Sequence, residues 1–314
     1  MRVIVTGANG FVGRATCATF CDAGHDVTAL VRRPGGCESR VHEQLIADDN
    51  FATLTALPPA DVLVHLAARV HVMKDGAGNP LGAYRTVNVQ GSLNVARAAL
   101  RAGVKRLVFI SSIKALGEGE PGRPWREDDP PAPVDPYGIT KLEAERALAG
   151  FGREQGMEVV VLRPPLVYGP GVRANFEQLM RAVERGIPLP LGSIDARRSM
   201  VYVGNLADAI RFVATRAEPT DGVFHVTDGD DLSVAQMIRA LAQAFDKPAR
   251  LLPVPASWLR AAGALTGRSA QVDRLTSPLR MDSSRLRTSL GWRPPVSVAE
   301  GIARTVRAFQ EARR

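Results

Sequence analysis

Tyr137 and Lys141 lie four residues apart in the segment Tyr-Gly-Ile-Thr-Lys and could carry out proton transfer. Asp135 is a good N-cap residue and Pro136 suits the first helical position, so Tyr137 is predicted to lie in the opening turn of a helix. Residues four apart share a helix face, which places Lys141 beside Tyr137. A nearby cation and a helix N-terminus both favour phenolate, so we expect the pKa of Tyr137 to be lowered towards neutrality. Such a group could act as a general acid on a carbonyl or alcohol.

A glycine-rich segment, Gly7-Ala-Asn-Gly-Phe-Val-Gly13, follows the first predicted strand and opens the first predicted helix. Glycines at such a turn let the backbone approach a pyrophosphate, which then lies at the helix N-terminus. The spacing is G-x-x-G-x-x-G rather than the commoner G-x-G-x-x-G, but its position between strand and helix favours dinucleotide binding over an ordinary loop. The cofactor contacts expected here are Gly7, Asn9, Gly10, Phe11, Val12 and Gly13.

The end of the second predicted strand, Leu30-Val-Arg-Arg-Pro34, bears on the choice of dinucleotide. A free ribose 2′-hydroxyl calls for Asp or Glu roughly twenty residues after the glycine turn, and none is present there. Arg32 and Arg33 suit a 2′-phosphate, so NADP(H) is favoured and NAD(H) is possible; two solvated arginines are the simpler interpretation. Asp48, after the third strand, could reach the adenine amino group or cap a helix.

Apolar runs and helical patterns alternate through the first half of the chain. The predicted buried strands are Val3–Val5, Val27–Val31, Val62–Leu66, Leu107–Ser111 and Val159–Leu162. The predicted helices are Phe11–Ala23, Tyr84–Ala102 and Tyr137–Glu154. This alternation predicts an α/β fold with a Rossmann-type, doubly wound parallel sheet.

After about residue 165 the pattern becomes irregular, which predicts a smaller α+β substrate lobe. We expect a dinucleotide-binding domain over residues 1–165, with the catalytic residues, and a second lobe over 166–314, with an indistinct boundary and interleaved segments. The elements predicted in this lobe are the helices Phe176–Arg185, Val203–Arg216, Ser233–Phe245 and Val298–Ala312 and the strands Ser199–Val203 and Gly222–Thr227. The irregular stretch Ile113–Val134 is typical of a lid or binding loop.

Composition narrows the function classes. The chain has 314 residues, of which 45% are apolar, so it can bury a sizeable core. Its net charge of +8 is scattered and no zinc-finger, RNP or basic-helix pattern occurs, which favours a small molecule bearing a diphosphate over nucleic acid. No leader and no apolar run of about 18 residues is seen, so we expect no membrane partner. Three cysteines without metal-like spacing are expected to be free thiols in the cytoplasm, and no metal site is predicted.

Several segments together resemble the extended short-chain dehydrogenase/reductase family, the NAD-dependent epimerase/dehydratase group. They follow the family's order along almost the whole chain: Thr6–Gly13, His65-Leu-Ala-Ala68, Asn88-Val-Gln-Gly91, Ser111-Ser112, Tyr137–Lys141, Arg163-Pro-Pro-Leu-Val-Tyr-Gly169 and Gly291-Trp-Arg-Pro294. The resemblance implies a Rossmann fold, an NAD(P)-dependent enzyme and a homodimer formed through the helices predicted at 84–102 and 137–154.

The resemblance assigns catalytic roles to three residues. Ser112 would hydrogen-bond the reacting oxygen, with Ser111 as the neighbour most easily confused with it. Tyr137 would donate or accept the proton, and Lys141 would bind the nicotinamide ribose and lower the tyrosine pKa. Further cofactor contacts are implied for Leu66, Ala67, Ala68, Asn88 and Pro164; of these, Asn88 matches the residue that braces the active-site helix.

The resemblance also implies a nucleotide-diphosphate sugar as substrate, with UDP as the expected nucleotide. Asn175 would lie near the diphosphate, and Leu189 would lie along the base. Arg198, with Arg197 as its alternative, would clamp the diphosphate, since a guanidinium can donate two parallel hydrogen bonds. Arg280 matches a further phosphate contact only loosely.

The two residues directly after the catalytic serine narrow the choice of reaction. The family's 4,6-dehydratases have an Asp-Glu pair there, whereas this chain has Ile113-Lys114, which argues against dehydration. A 4-ketoreductase and a 4-epimerase share Ser, Tyr and Lys. The arginines after the second strand favour the reductase, as does a finer resemblance of His65–His71 and Ser111–Glu118 to UDP-N-acetylquinovosamine dehydrogenases of bacterial surface-polysaccharide pathways. We therefore predict reduction of a UDP-4-keto-6-deoxy-hexosamine by NADPH; a UDP-sugar 4-epimerase is the alternative and a non-catalytic cofactor sensor the remote one.

Overall fold

A seven-stranded parallel β-sheet forms the centre of the structure, a computed structural model that describes residues 1–70, 79–267 and 269–313. The strands are β1 (Arg2–Thr6), β2 (Asp26–Val31), β3 (His42–Leu45), β4 (Val62–His65), β5 (Arg106–Ile110), β6 (Glu158–Arg163), β7 (Leu166–Tyr168), β8 (Arg197–Arg198), β9 (Met200–Tyr202), β10 (Gly222–His225) and β11 (Leu232–Ser233). The order across the main sheet is β10-β6-β5-β4-β1-β2-β3, while β7 pairs with β9 and β8 with β11. Because the seven strands run parallel, their carboxyl ends meet at one edge, where ligands bind in folds of this kind.

Helices cover both faces of the sheet and build a second layer beside it. They are α1 (Phe11–Asp22), α2 (Pro80–Arg85), α3 (Gly91–Arg101), α4 (Pro136–Gln155), α5 (Ala174–Glu184), α6 (Val203–Thr215), α7 (Val234–Ala244), α8 (Ala256–Leu265), α9 (Ser269–Thr276), α10 (Ser284–Leu290) and α11 (Val298–Glu311). A π-helical turn over Thr86–Gln90 joins α2 to α3, and a 3-10 turn over Ile113–Ala115 follows β5. Of these helices, α8, α9 and α10 were not predicted from the sequence.

The strands are buried on both faces, which explains their continuous apolar sequences. In β1, Val3 and Val5 belong to the cluster formed with α1 and α6, whereas Ile4 belongs to the cluster formed with α3 and α4. This alternation follows from the two-residue period of a strand. The predicted α/β fold with a doubly wound parallel sheet is therefore confirmed.

A third apolar cluster lies outside the main sheet, among β7, β9, α5, α7 and α11. Three elements beyond residue 165 belong instead to the main sheet layer: β10 pairs with β6, α6 packs against α1, and α10 packs against β10. The boundary at residue 165 stays a prediction, as does the homodimer. Within the described ranges, no helix combines the length and apolar character needed to cross a bilayer.

The irregular segment that follows the 3-10 turn is held against the chain that precedes α10. Trp125 pairs with Met281. The backbone N–H of Trp125 donates to the Arg280 carbonyl at 2.9 Å, and the Trp125 carbonyl accepts from the backbone N–H of Asp282 at 2.8 Å. The Glu120 carboxylate forms a bidentate salt bridge with Arg280. The segment predicted as a lid or binding loop is thus fixed by backbone and ionic contacts to residues more than 150 positions away.

Arg106, at the start of β5, fastens the sheet to the end of α6. It is 7% exposed and its Nε donates to Glu158 at 2.6 Å. Its remaining nitrogens donate to the carbonyls of residues 213, 214, 216 and 218. A cation here satisfies carbonyls that a helix C-terminus otherwise leaves without donors.

We expect Arg106→Met to lower the free energy of unfolding by about 2–3 kcal/mol, because it leaves several buried carbonyls and the Glu158 carboxylate without their hydrogen-bond donor. Urea denaturation would measure this loss. Arg304→Met is the matched control: Arg304 forms an exposed i,i+4 pair with Glu300, so its removal should leave stability almost unchanged. Equal losses for the two variants would contradict the role given to Arg106.

Candidate active site

The opening turn of α4 presents Tyr137 at the carboxyl edge of the sheet. The helix begins at Pro136, and the Asp135 side chain accepts a hydrogen bond from the Gly138 N–H at 2.6 Å, as the sequence predicts for an N-cap. Lys114 forms salt bridges with Asp135 and Glu118, so the cap is itself held in place. These contacts fix the direction in which the first turn of α4 points.

Lys141 lies one turn further along α4 and is 2% exposed. Its Nζ donates to the Ile110 carbonyl at 2.7 Å, at the end of β5. The same nitrogen lies 4.5 Å from the centre of the Phe109 ring and 5.9 Å from the centre of the Tyr137 ring. Lys141 therefore ties α4 to the sheet and lies close to the tyrosine, as the i,i+4 spacing predicts.

The pKa values of these two groups differ from the sequence-based expectation. Loss of water around the phenol raises the pKa of Tyr137 to about 12; hydrogen bonding with Ser112 opposes this shift, and the Asp135 charge adds to it. Burial lowers the pKa of Lys141 to about 7, which the Glu145 carboxylate partly offsets. The prediction of a lowered Tyr137 pKa is thus wrong for this structure, because desolvation outweighs the favourable contacts.

A cleft of about 1140 Å³ runs from this edge along the glycine turn. Gly7 has a φ of +67°, and a Cβ there would lie 2.8 Å from the Ala67 nitrogen. A Cβ on Gly13 would collide with the Gly7 carbonyl, so both positions need glycine. The result is a backbone cradle at the N-terminus of α1, the arrangement that suits a pyrophosphate. All six residues predicted from the glycine turn line this cleft.

At the outer end of the cleft, Arg32 and Arg33 follow β2 as predicted and line the wall. Asp49 lines the same wall, with its Oδ2 4.0 Å from Arg32 Nη1. Asp48, the residue proposed for adenine, is not part of the lining: its carboxylate accepts from the Ala52 and Thr53 N–H groups at 2.9 and 3.0 Å. The described residues directly after Asp48 form no helix, so its carboxylate caps a turn at residues 52–53 rather than a helix, and neither predicted role is seen. Sequence reasoning missed Asp49, although the acid directly after Asp48 was a signal for it.

The remaining predicted cofactor residues divide into lining and bracing groups. Leu66, Ala67, Ala68 and Pro164 line the cleft. Asn88 is 1% exposed and does not: its side chain bonds both backbone groups of Arg69 and donates to Thr140 Oγ1 at 3.0 Å. Asn88 therefore braces α4, which is the role that the resemblance implies for it.

Ser111 and Ser112 both line the cleft but have different partners. The Ser111 hydroxyl donates to Glu145, which is 4% exposed and also accepts two hydrogen bonds from Arg163, at 2.6 and 2.9 Å. The hydroxyl of Ser112 interacts with Tyr137 and accepts from the Lys114 N–H at 3.2 Å. The geometry thus favours Ser112 over Ser111 as the partner of Tyr137. Glu145 and Arg163 were missed as site residues, although Glu145 lies one turn after Lys141 on the same helix face.

The predicted substrate residues Asn175, Leu189, Arg198 and Arg280 do not line this cleft. Asn175 lies in the first turn of α5, and Leu189 pairs with Leu251. Arg198 donates to the Ser277 carbonyl at 3.0 Å, and Arg280 pairs with Glu120. The structure brings two of the four together, since Arg198 pairs with Leu279, the neighbour of Arg280. Their substrate roles stay predictions. Among the described residues no group of three His, Cys, Asp or Glu side chains could hold a metal ion.

Comparison with known proteins places this site in context. The model of the NAD dependent epimerase/dehydratase family matches residues 3–226, more than half of the chain. A UDP-glucose 4-epimerase from Vibrio cholerae is 44% identical over 99% of this chain and 96% of its own length. Among solved structures, the Thermus thermophilus UDP-glucose 4-epimerase in complex with NAD is 27% identical, with a TM-score of 0.78 over 99% of this chain and 100% of its own. MoeE5 in complex with UDP-glucose and NAD is 26% identical, with a TM-score of 0.78 over the full length of both chains.

Gly138 provides a test of how tightly the opening turn of α4 must pack. A Cβ there would collide with the Lys114 carbonyl, so Gly138→Ala should push Tyr137 away from Ser112 and lower turnover by about tenfold or more. Gly150 is the control in the same helix, since a Cβ there meets nothing within 4 Å. We expect Gly150→Ala to raise the free energy of unfolding by about 0.5–1 kcal/mol with unchanged turnover. Steady-state kinetics and urea denaturation on both proteins would check this, and an active Gly138→Ala protein would contradict it.

We expect Ser112→Ala to shift the rising limb of the pH profile of kcat/KM to higher pH. The hydrogen bond from Ser112 favours the phenolate, so its loss raises the pKa of Tyr137 further, and more alkaline solution is needed to form the base. Ser297→Ala, at the N-cap of α11, is the control and should leave the limb where it is. An unshifted limb in the Ser112 variant would show that this hydroxyl does not tune Tyr137.

Proposed function

The chain belongs to the NAD dependent epimerase/dehydratase family, and we propose that it is a UDP-sugar 4-epimerase that uses NAD. The observation that carries the proposal is the convergence of Tyr137, Lys141 and Ser112 at one end of the glycine-lined cleft. The relatives support the choice of reaction, because the Vibrio cholerae and Thermus thermophilus proteins are both named UDP-glucose 4-epimerases. They favour the epimerase over the ketoreductase that the sequence alone favoured.

The residues present fit NAD at one end of the cleft. Gly7 and Gly13 leave the space that side chains would fill, and the N-terminus of α1 faces the place of the pyrophosphate. When bound, NAD would supply a reversible hydride acceptor for C4 of the sugar. Lys141 and Pro164 line the same wall at the catalytic end of the cleft and would border the nicotinamide ribose.

Proton transfer would be the work of Tyr137. Ser112 would donate to the 4-oxygen of the sugar and hold it beside the phenol, while Tyr137 would take the proton during oxidation and return it during reduction. The Lys141 cation would favour the phenolate that the first of these steps needs, whereas the buried phenol is already in the form that the second step needs. The same residue would thus act once in each half of the reaction.

The ketoreductase is a second candidate, and Arg32 with Arg33 is the observation that favours it. Both arginines lie at the outer end of the cleft, where a 2′-phosphate would suit them. Asp49, on the same wall, provides a carboxylate that suits ribose hydroxyls and opposes a phosphate. The Thermus thermophilus and MoeE5 structures hold NAD, which supports NAD for this chain; a preference for NADP(H) belongs to the second candidate.

The two candidates differ in what they consume. We expect the purified protein with NAD alone to interconvert UDP-glucose with UDP-galactose, or UDP-GlcNAc with UDP-GalNAc, without net production of NADH. Proton NMR of the sugar anomeric signals would follow this. Oxidation of NADPH by a UDP-4-keto-6-deoxy-hexosamine, with no interconversion of either UDP-sugar pair, would instead establish the reductase.

Tyr137→Phe should lower kcat for this interconversion by about a hundredfold or more, because it removes the proton carrier but keeps the ring. Tyr202→Phe is the matched control: Tyr202 is 6% exposed and packs in the third apolar cluster, away from the cleft, so its variant should keep full activity. Full activity of Tyr137→Phe would exclude the mechanism for either candidate.

A further inference from the structure

Behind the cleft wall, a chain of buried polar side chains runs from the end of β1 to α4. Its members are Thr6, His65, Ser92, Asn88 and Thr140, none of which is more than 1% exposed. His65 ends β4 and lies between Thr6 and Ser92 in this chain, without lining the cleft. Buried polar groups are costly unless hydrogen-bonded, so the direction of each bond in this chain can be worked out.

The direction is set at Ser92. Its Oγ lies 2.6 Å from the Asn88 carbonyl oxygen, and only the serine can provide the hydrogen between these two oxygens. The Ser92 oxygen is then left as an acceptor for the imidazole of His65, whose Nε2 lies 2.9 Å away. Nε2 of His65 therefore carries a proton.

The other ring nitrogen must then be bare. Thr6 Oγ1 lies 2.7 Å from His65 Nδ1 and already accepts the N–H groups of Leu66 and Ala67, both at 3.1 Å. With two hydrogens pointing at its oxygen, Thr6 needs an acceptor for its own hydroxyl hydrogen, and Nδ1 is the atom within reach. A doubly protonated ring would leave that hydrogen without an acceptor and would add a cation near Lys141, which itself acts to lower the pKa of His65.

The two ends of the chain lie at the two halves of the site. At one end, Thr6 holds Leu66 and Ala67, and Ala67 is the residue against which Gly7 packs. At the other end, Asn88 donates to Thr140 Oγ1 at 3.0 Å, and Thr140 donates to the Pro136 carbonyl at 2.8 Å, in the turn that carries Tyr137. The cofactor cradle and the catalytic turn are thus joined through one imidazole.

We propose that His65 is a positioning residue, a neutral imidazole protonated on Nε2 that sets the glycine cradle and the opening turn of α4 in register with each other. This inference rests on the proposed function for its effect on turnover. The tautomer and the effect on NAD binding do not depend on which sugar is the substrate. His65 acts through Thr6 on one side and through Ser92 and Asn88 on the other, and it touches neither reactant.

The tautomer can be read directly by NMR of protein labelled with ¹⁵N in the histidine rings. We expect His65 to show a protonated Nε2 and a bare Nδ1, with no protonation step in the range where ordinary histidines titrate, since burial lowers its pKa to about 3. His225 is the internal control: its Nδ1 faces the Asp282 carbonyl at 3.1 Å, so it should show the opposite tautomer. The chain has five histidines. The signal that is lost in the His65→Gln variant belongs to His65, and Gln variants of the other four histidines would assign it by elimination.

Variants test whether the chain couples the two halves of the site. We expect His65→Phe and Thr6→Val each to weaken NAD binding and lower kcat by about tenfold, the equivalent of one lost buried hydrogen bond. Thr6→Ser keeps the hydroxyl and should restore both values. The double variant should lose little more than either single one, because both break the same chain. NAD affinity by calorimetry and kcat by the epimerase assay measure this.

Leu107→Val controls for simple loss of packing. Leu107 is fully buried in the apolar layer that contains Phe109, so its variant should lower stability to urea while NAD affinity and kcat stay unchanged. An Nδ1-protonated or titrating His65 would overturn the proposal, as would a Thr6→Val protein that binds NAD as tightly as Thr6→Ser. Failure of the wild-type chain to bind NAD would count against the proposed function. The inference about His65 would then be decided by the NMR measurement of its tautomer.

Discussion

The hydrogen bond from Lys141 Nζ to the Ile110 carbonyl is the contact on which the active site depends. It joins α4 to the end of β5, two residues before Ser112, and the two residues that it links are both buried. Lys141 is 2% exposed, so a shift of α4 that broke this bond would leave a buried amine without its acceptor, which is costly. The position of Tyr137 relative to Ser112 thus follows from a lysine that the fold cannot easily release.

Burial of so many polar groups at one edge of the sheet has an electrostatic consequence. The Arg163–Glu145 pair cancels its own charge through a bidentate salt bridge, and His65 is kept neutral by burial and by its two hydrogen-bond partners. Lys141 lies beside the phenol, and its pKa of about 7 makes its charge sensitive to small changes in its surroundings. The phenol pKa is raised rather than lowered because desolvation of Tyr137 outweighs its hydrogen bond with Ser112.

The sequence predicts the elements that are set by local chemistry and misses what depends on distant pairing. The start of α4 was predictable because Asp135 and Pro136 are adjacent to it, and the parallel strands because their apolar runs are uninterrupted. The membership of β10 in the main sheet could not be read from its residues, since its partner β6 lies about sixty positions earlier. The pairing of Glu120 with Arg280 spans 160 residues and has no local signal. The Tyr137 pKa was predicted in the wrong direction because spacing reveals the neighbours of a group but not how much water surrounds it.

The loop at the outer end of the cleft bears on the choice between epimerase and reductase. An epimerase gains from a cofactor that stays bound through both half-reactions, whereas a reductase must exchange it at every turnover. The loop after Arg33 is held in place there: the N–H groups of Gly35, Gly36 and Cys37 all donate to the Glu43 carboxylate, at 2.7 to 3.1 Å. Those bonds lower the pKa of Glu43, so the carboxylate keeps its charge and its hydrogen bonds to the loop. Asn9, from the glycine turn, donates to the Arg33 carbonyl at 3.3 Å and accepts from the Cys37 thiol at 3.0 Å. A loop tied both to β3 and to the cradle loses less entropy when a dinucleotide binds, which favours the tight cofactor binding that the proposed epimerase requires.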